Sequence, residues 1–291
     1  MYFYKLELST ESDSVTIIEE ILIGFDAISI SIIDKFGKEP IYEPKVGETP
    51  LWKDVKVSAI FEREISIESI HLILENISFS NLSITKFVNK NWIEIYQKDF
   101  QPIQFGQRLF VVPSWHELKQ NTNSIQIKMD PGMAFGSGSH ETTHLCLEHL
   151  DSNPPKNLSV MDYGCGSGIL GIASLLLGAS RVIAVDIDPQ ALLATEENAS
   201  RNGVSNKILT GYPDEYKDTK SDVLIANILA NPIVDLKDQF MNLTIPQGRI
   251  VLSGIMDQQL NAVLDAYQEL VEITRIEKKN NWCLVEGIKI N

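Results

Sequence analysis

The sequence contains few cysteine and histidine residues. Its three cysteines, Cys146, Cys165 and Cys283, lie far apart and form no C-x-x-C pair. An odd, scattered set of this kind is typical of a reducing compartment and gives no spacing for metal ligands. One histidine pair, His140 and His144, has helical spacing, but such a pair without a nearby third ligand is usually structural. We therefore expect no metal site.

A long uninterrupted hydrophobic segment is also lacking. The most apolar stretch, residues 15–33, is broken by Glu19, Glu20 and Asp26, so it does not have the composition of a membrane span. The first residues, "MYFYKLELSTESD", contain no apolar core of signal-peptide length. These absences predict a cytoplasmic protein with no membrane partner.

The chain has no excess of basic residues. Its formal net charge is −14, and residues 1–88 contribute −7 of it through 15 acidic and 8 basic side chains. Because free nucleic acid requires a basic surface, we expect no direct nucleic-acid binding. An acidic surface attracts a basic protein partner over a distance, although acidity also simply maintains solubility.

Residues 1–88 alternate strand patterns with helical patterns. The Ile–Ser alternation of "AISISII" is typical of a strand, and "SIESIHLILEN" begins with a helix-capping pattern. The predicted order is β-α-β-β-α-β, a ferredoxin-like arrangement, formed by "YFYKLEL", residues 12–25, "AISISII", "VKVSAIF", "SIESIHLILEN" and "LSITKFV". Residues 37–54, with several glycines and prolines, are predicted to form its long middle loop.

The chain changes character after residue 88. Residues 89–108 predict a short helix and a Pro/Gly-containing connector, and we place the domain boundary there. Residues 109–291 alternate strands with helices, which predicts a doubly wound, largely parallel sheet. The predicted helices are residues 168–178, 189–202, 230–241 and 257–270. The chain closes with two strands joined by a polar "KKNN" turn, and a seven-stranded sheet with its last strand reversed resembles the class I methyltransferase fold.

A glycine-rich loop follows the strand "SVMDY". It reads "DYGCGSG", and Gly164, Gly166 and Gly168 allow a tight turn in which a ligand approaches the backbone. Together with Gly171 the same stretch also spells G-x-G-x-x-G, the dinucleotide fingerprint. Asp186, which ends the next strand, can accept hydrogen bonds from ribose hydroxyls. These features alone fit both a nicotinamide dinucleotide and S-adenosylmethionine.

Three further features favour a methyltransferase over an oxidoreductase. Asp162 precedes the loop and completes D-x-G-x-G-x-G, a pattern of methyltransferase loops. Asn227, in "NILANP", ends the fourth strand at the carboxyl edge of the sheet, where ligands bind. It resembles the polar residue of "NPPY"-like motifs that orient an amine. Finally, no dehydrogenase catalytic domain follows the sheet.

Several blocks of the sequence together resemble one family. These are "MDPGMAFGSGSHETTHLCLEHL", "VMDYGCGSGILGIAS", "VDIDPQAL", "ENASRNGV", "ANILANP" and "NWCLVEG". They resemble the bacterial ribosomal protein L11 methyltransferases, and the resemblance covers essentially the whole chain. It implies methyl transfer from S-adenosylmethionine to lysine ε-amines and the N-terminal α-amine of L11, free before ribosome assembly. It also implies a substrate-recognition role for residues 1–88 and a catalytic domain at 109–291.

The resemblance assigns roles to individual residues. Thr143, Gly164, Asp186 and Asn227 match cofactor contacts of the family, and Gly166 and Gly168 complete the cofactor loop. We expect Asn227 and the backbone carbonyl of Leu229 to accept hydrogen bonds from the incoming amine. Two alternatives stay open: Asn227 as a helix N-cap, and Asp162 either bracing the loop or touching the methionine amine. Residues 132–140 are interpreted as a lid over the cofactor.

Two other functions remain open from the sequence. One is a different class I N-methyltransferase, acting on another protein or a small molecule; the additional N-terminal module argues against a small substrate. The other is a non-catalytic module that binds RNA or the ribosome through the ferredoxin-like fold, which the acidic balance of residues 1–88 disfavours.

Overall fold

The computed structural model describes residues 2–36, 51–75, 77–88, 101–116, 124–130 and 140–290. The chain forms two compact units, residues 1–98 and 99–291. The division between the two units lies inside the segment 89–108 in which the sequence analysis placed the boundary, and residues 99–108 group with the second unit. The predicted helix of that segment lies outside the described residues, as does most of the predicted middle loop.

The first unit has the element order predicted from the sequence. Its elements are β1 (Tyr2–Glu11), α1 (Val15–Gly24), β2 (Ser29–Asp34), β3 (Asp54–Phe61), α2 (Ile67–Ile73) and β4 (Phe79–Val88). The strands form an antiparallel sheet in the order β2-β3-β1-β4. Ser66 caps α2 by accepting a hydrogen bond from the Ser69 N–H, as its sequence pattern predicts. Leu6 and Leu8 of β1 and Ile18 of α1 belong to one buried core, and none of these three residues is more than 1% exposed.

The second unit is built on a mixed seven-stranded sheet. Its strands are β8 (Ser159–Tyr163), β9 (Arg181–Val185), β10 (Ile208–Gly211), β11 (Ser221–Asn227), β12 (Thr244–Met256), β13 (Val271–Lys279) and β14 (Trp282–Lys289). In the described part of the chain their order is β10-β9-β8-β11-β12-β14-β13. The first five are parallel, whereas β14 is antiparallel to both β12 and β13.

Helices cover both faces of this sheet. They are α3 (Glu141–Ser152), α4 (Ile169–Leu176), α5 (Pro189–Arg201), α6 (Ala230–Asp235), α7 (Lys237–Leu243) and α8 (Leu260–Tyr267). One buried cluster joins α3 and α4 to the sheet, and a second joins α6, α7 and α8 to its other face. The predicted helix at 230–241 is wrong in one respect, because it ends at Asp235 and a second helix begins at Lys237. Within the described residues, no helix has the length and apolar character needed to cross a membrane.

A small sheet at the start of the second unit was absent from the sequence prediction. It consists of β5 (Ile103–Phe105), β6 (Leu109–Val112) and β7 (Ile125–Lys128), in that order. The turn between β5 and β6 is fixed by the buried Asp151 of α3, whose carboxylate accepts hydrogen bonds from the Gln107 and Arg108 N–H groups and from Arg108 Nε. Residues 101–112 are therefore part of the second unit.

Candidate active site

The predicted site residues meet at one edge of the main sheet. In the register of the parallel strands, Tyr163 pairs with Val185 and with Ala226, and Asn227 pairs with Ser253. The residues that follow these strands therefore emerge side by side at the carboxyl edge, where α/β sheets bind ligands.

The glycine loop adopts a conformation that requires glycine. Gly164, Gly166 and Gly168 have φ values of 73°, 54° and 77°, which other L-residues rarely adopt. A methyl group at Gly168 would also lie 2.7 Å from Cγ2 of Thr195, so α5 approaches the loop closely. The loop thus turns sharply between β8 and α4 and leaves its backbone accessible to a ligand.

Asp186 links the loop to the end of β9. Its Oδ2 accepts a hydrogen bond from Gly166 N at 2.9 Å, and its Oδ1 accepts one from Asp188 N at 3.0 Å. Because each carboxylate oxygen can accept more than one hydrogen bond, acceptor capacity remains for hydroxyl groups of a ligand. The neighbouring Ile187 is 83% exposed and offers an apolar surface beside the carboxylate.

Asp162 lies beneath the loop. It is 1% exposed, and its Oδ2 accepts a hydrogen bond from Gly171 N at 2.8 Å. This contact supports the bracing role among the two alternatives. Burial raises the pKa of the Asp162 carboxyl to about 7 from its ordinary value of 3.8.

Asn227 contacts Thr143 across the site. Asn227 Nδ2 donates to Thr143 Oγ1 at 3.4 Å, and Thr143 itself has no exposed surface. Asn227 Oδ1 is buried and has no hydrogen-bond partner among the described residues. Such an atom is costly unless something donates to it. The alternative in which Asn227 caps a helix is wrong, because α6 begins at Ala230 with Leu229 as its N-cap residue.

Leu229 has a side chain that is 53% exposed. Its carbonyl oxygen already accepts the first hydrogen bond of α6, from Ile233 N at 3.2 Å. One lone pair of this oxygen therefore remains for an additional donor.

Two residues of α5 support the loop, and the sequence analysis gave them no role. The buried Thr195 donates from Oγ1 to the Gly166 carbonyl at 3.1 Å, and the buried Asn198 donates from Nδ2 to the Ser167 carbonyl at 2.9 Å. Their signal was two polar residues three apart in "TEENAS", a spacing that places both on one face of the helix. Ala191 and Ala199 of the same helix are also buried. Thr195 and Asn198 bind carbonyl groups of the loop, whereas Asp186 binds the Gly166 N–H.

The predicted lid lies mostly outside the part of the chain that the structure describes. Residues 131–139, which include nearly all of the predicted lid, lie outside the described residues. His140 is the N-cap of α3, with Nδ1 accepting from Thr142 N at 3.3 Å. In the described ranges, no group of three or more His, Cys, Asp or Glu side chains is placed to hold a metal ion.

Comparison with known proteins gives one consistent result. The profile of a family described as ribosomal protein L11 methyltransferase (PrmA) matches residues 2–289. The chain belongs to this family. The ribosomal protein L11 methyltransferase of Marinobacter nauticus is 40% identical over 295 residues, covering 99% of this chain and 98% of the relative. That of Vibrio cholerae serotype O1 is 39% identical over 299 residues and covers both chains completely.

A solved structure supports the same assignment. The ribosomal protein L11 methylase of Lactobacillus delbrueckii subsp. bulgaricus superposes with a TM-score of 0.61 at 33% identity, covering 66% of this chain and all of that one. The family assignment is therefore consistent with the observed α/β fold and its large mixed sheet.

In this member of the L11 methyltransferase family, the raised pKa of Asp162 predicts that the stability of the folded chain depends on pH. The folded chain keeps the Asp162 proton up to about pH 7, whereas the unfolded chain releases it near its ordinary pKa of 3.8. The free energy of unfolding should therefore fall as pH rises between these values, by at most roughly 4 kcal/mol, since each pH unit is worth about 1.4 kcal/mol. Asp162→Asn cannot ionise and keeps an acceptor for Gly171 N.

Urea unfolding of the two proteins across this pH window measures the effect. The asparagine variant should gain stability relative to the parent as pH rises and then reach a constant difference above about pH 7. A difference that does not change with pH would show that Asp162 does not titrate there. Calorimetry with S-adenosylhomocysteine separates the two roles, because a residue that only braces the loop leaves the affinity nearly unchanged after this substitution.

Proposed function

We propose that this chain transfers methyl groups from S-adenosylmethionine to lysine ε-amines and the N-terminal α-amine of ribosomal protein L11. The observation that carries the proposal is the buried Asn227 Oδ1, which has no donor among the described residues and lies at the carboxyl edge that the glycine loop shares. A substrate amine can supply such a donor. Family membership over residues 2–289 supports the substrate.

The loop and its neighbours fit S-adenosylmethionine. Gly164, Gly166 and Gly168 would lie against the methionine part, the Asp186 carboxylate would accept the ribose hydroxyls, and Ile187 would pack on the base. When bound, S-adenosylmethionine supplies an electrophilic methyl group on a positively charged sulfur. Thr143 is fully buried, so we propose that it acts on the site through Asn227.

The chain's task is to present the amine in its neutral form and in line with the methyl group. A lysine amine has an ordinary pKa near 10.4, and an apolar surrounding lowers it by disfavouring the charged form. Asn227 Oδ1 and the remaining lone pair of the Leu229 carbonyl are two acceptors that would fix the amine's hydrogens. Orientation of this kind supplies a large part of the rate enhancement.

We propose that the first unit is a ferredoxin-like module that recognises L11. Its antiparallel order β2-β3-β1-β4 and its β-α-β-β-α-β sequence are those of that fold. A connector upstream of residue 99 would let several amines reach one catalytic site. We further propose a class I methyltransferase domain in the second unit, methylation of L11 free before ribosome assembly, and a cytoplasmic location.

The charges of the first unit argue against an RNA-binding module. Lys5 and Lys56 both pair with Glu7, at 2.8 and 2.7 Å, on one face of the sheet. The Lys86 ammonium lies 4.5 Å from the ring centre of Tyr2. Cations that already have intramolecular partners contribute little to phosphate binding, which depends on releasing counterions.

The function is tested by mass spectrometry of L11 after incubation with the purified chain and S-adenosylmethionine. We expect methylated lysines and a methylated N-terminus, and binding of S-adenosylhomocysteine but not of NAD. Asp186→Ala should weaken cofactor binding about ten- to a hundredfold, because hydrogen bonds to a charged group are worth about 1.5–3 kcal/mol each. Asp218→Ala removes an exposed acid from the same unit and serves as the control. Unmodified L11, or binding of NAD in place of the sulfonium compound, would refute the proposal.

A further inference from the structure

Ile228 lies between the two residues proposed to orient the amine, and glycines contact it from two directions. It follows Asn227 and precedes Leu229, and it is half-buried. A methyl group placed on Gly164 would overlap Cγ2 of Ile228, and one placed on Gly254 would overlap its carbonyl oxygen. The side chain thus touches the cofactor loop and the peptide group touches the end of β12.

The contact of Ile228 with Gly254 results from an irregularity in strand β12. Gly254 has a φ of 87°, and a methyl group there would lie 2.7 Å from the carbonyl carbon of Ile228. The pairing of β12 with β14 shifts register between Ser253 and Ile255, so Gly254 is the extra residue of a bulge. Bulges beside functional sites redirect neighbouring groups. Here the bulge brings the β12 backbone against the peptide of Ile228.

The contact with Gly164 joins the two halves of the site. Gly164 has a φ of 73°, and its N–H donates to the Val185 carbonyl at 2.8 Å, which fixes the loop to β9. The Ile228 side chain packs against this fixed backbone. Because interiors are close-packed, a shift of either element must be transmitted to the other.

We infer that Ile228 is a positioning residue that sets the distance between the cofactor loop and the amine-orienting groups, with Gly164 and Gly254 as the surfaces on either side of it. This inference rests on the proposed function. Ile228 would act through these contacts, by placing Asn227 and Leu229, and not as a group that reacts. Its branched side chain spaces Asn227 and the Leu229 carbonyl from the loop, and Gly254 prevents the peptide from moving away.

Two substitutions of Ile228 test the inference, one that removes Cγ2 and one that keeps it. Ile228→Leu keeps the number of side-chain atoms but removes Cγ2, the atom that faces Gly164. Ile228→Val keeps both branches at Cβ and loses only the terminal methyl. We expect the single-turnover rate of methyl transfer to fall about tenfold or more in Ile228→Leu. The valine variant should be at least about fivefold faster than the leucine variant, with S-adenosylhomocysteine affinity within about threefold in both.

The control is Ile250→Leu, at a buried position in the middle of β12 that belongs to no site contact. It should lower the melting temperature to a similar extent as Ile228→Leu without slowing methyl transfer.

The outcomes distinguish failure of this inference from failure of the proposed function on which it rests. If the unmodified chain does not methylate L11, the proposed function fails. If it does methylate L11 but Ile228→Leu transfers methyl groups as fast as the valine variant, the positioning role is overturned. The same holds if the leucine variant loses rate only in proportion to cofactor affinity or to melting temperature, because that pattern describes a purely structural residue.

Discussion

Replacing Asn227 by aspartate should slow methyl transfer about a hundredfold and shift the pH dependence of turnover to higher pH. Asn227 Oδ1 is buried without a donor among the described residues, so an incoming amine would lie next to it. A carboxylate in that position stabilises the ammonium form and raises the pKa of the amine. The enzyme would then require a higher pH to obtain the neutral nucleophile.

Asn227→Ala should slow transfer by a similar factor but leave the pH profile in place. It removes the acceptor without adding charge, and it also releases Thr143 Oγ1 from the Asn227 amide. Neither variant removes a helix cap, because α6 begins at Ala230 and has Leu229 at its N-cap position. Any loss of stability in either variant therefore does not come from a lost helix cap, and melting temperatures of both variants are recorded alongside the rates.

The measurement is the single-turnover rate on L11 across pH for both variants. Asn261→Asp, at an exposed position of α8, adds the same charge away from the described site contacts and is the control. If the aspartate variant works at the parental rate, Asn227 does not contact the amine. If both variants lose rate with the same unshifted pH profile, the carboxylate is not close enough to the reacting nitrogen to affect its pKa.

The sequence predicted the parts of the site that depend on local backbone chemistry. Gly164, Gly166 and Gly168 are needed wherever a chain turns with positive φ, and the structure gives all three such values. Asp186 and Asn227 were placed at the ends of strands by the hydrophobic pattern alone, and both strands end there or one residue earlier. Signals of this kind lie within a few residues of the feature that they specify.

Features that depend on contacts between distant segments were missed. The small sheet of β5, β6 and β7 arises from short strands that become stable only against α3 and α4, and its longest strand has four residues. Thr195 and Asn198 support the loop across about thirty positions of sequence. The break at Leu236 between α6 and α7 leaves the hydrophobic period almost unchanged, so no periodic pattern predicts it.

The position of the division within the segment 89–108 matters for separating the two units. A fragment that starts at residue 109, as the sequence suggested, removes β5 with its fully buried Phe105 and also removes Arg108. The Asp151 side chain is only 3% exposed and would lose its ion pair with Arg108. Leaving a buried charge without its partner costs roughly 3–5 kcal/mol. A fragment of residues 99–291 keeps all of these contacts.

We therefore expect the 99–291 fragment to fold, to bind S-adenosylhomocysteine within about threefold of the full chain, and to lose nearly all methylation of folded L11. The 109–291 fragment should be less stable than the 99–291 fragment by several kcal/mol in urea unfolding.

A short lysine-containing peptide is the matched substrate control. Because such a peptide does not depend on a recognition unit, the 99–291 fragment should methylate it as fast as the full chain does. If that fragment modifies folded L11 at the full rate, residues 1–98 are not the recognition element. If it fails on the peptide as well while still binding S-adenosylhomocysteine, the first unit contributes to the catalytic site itself.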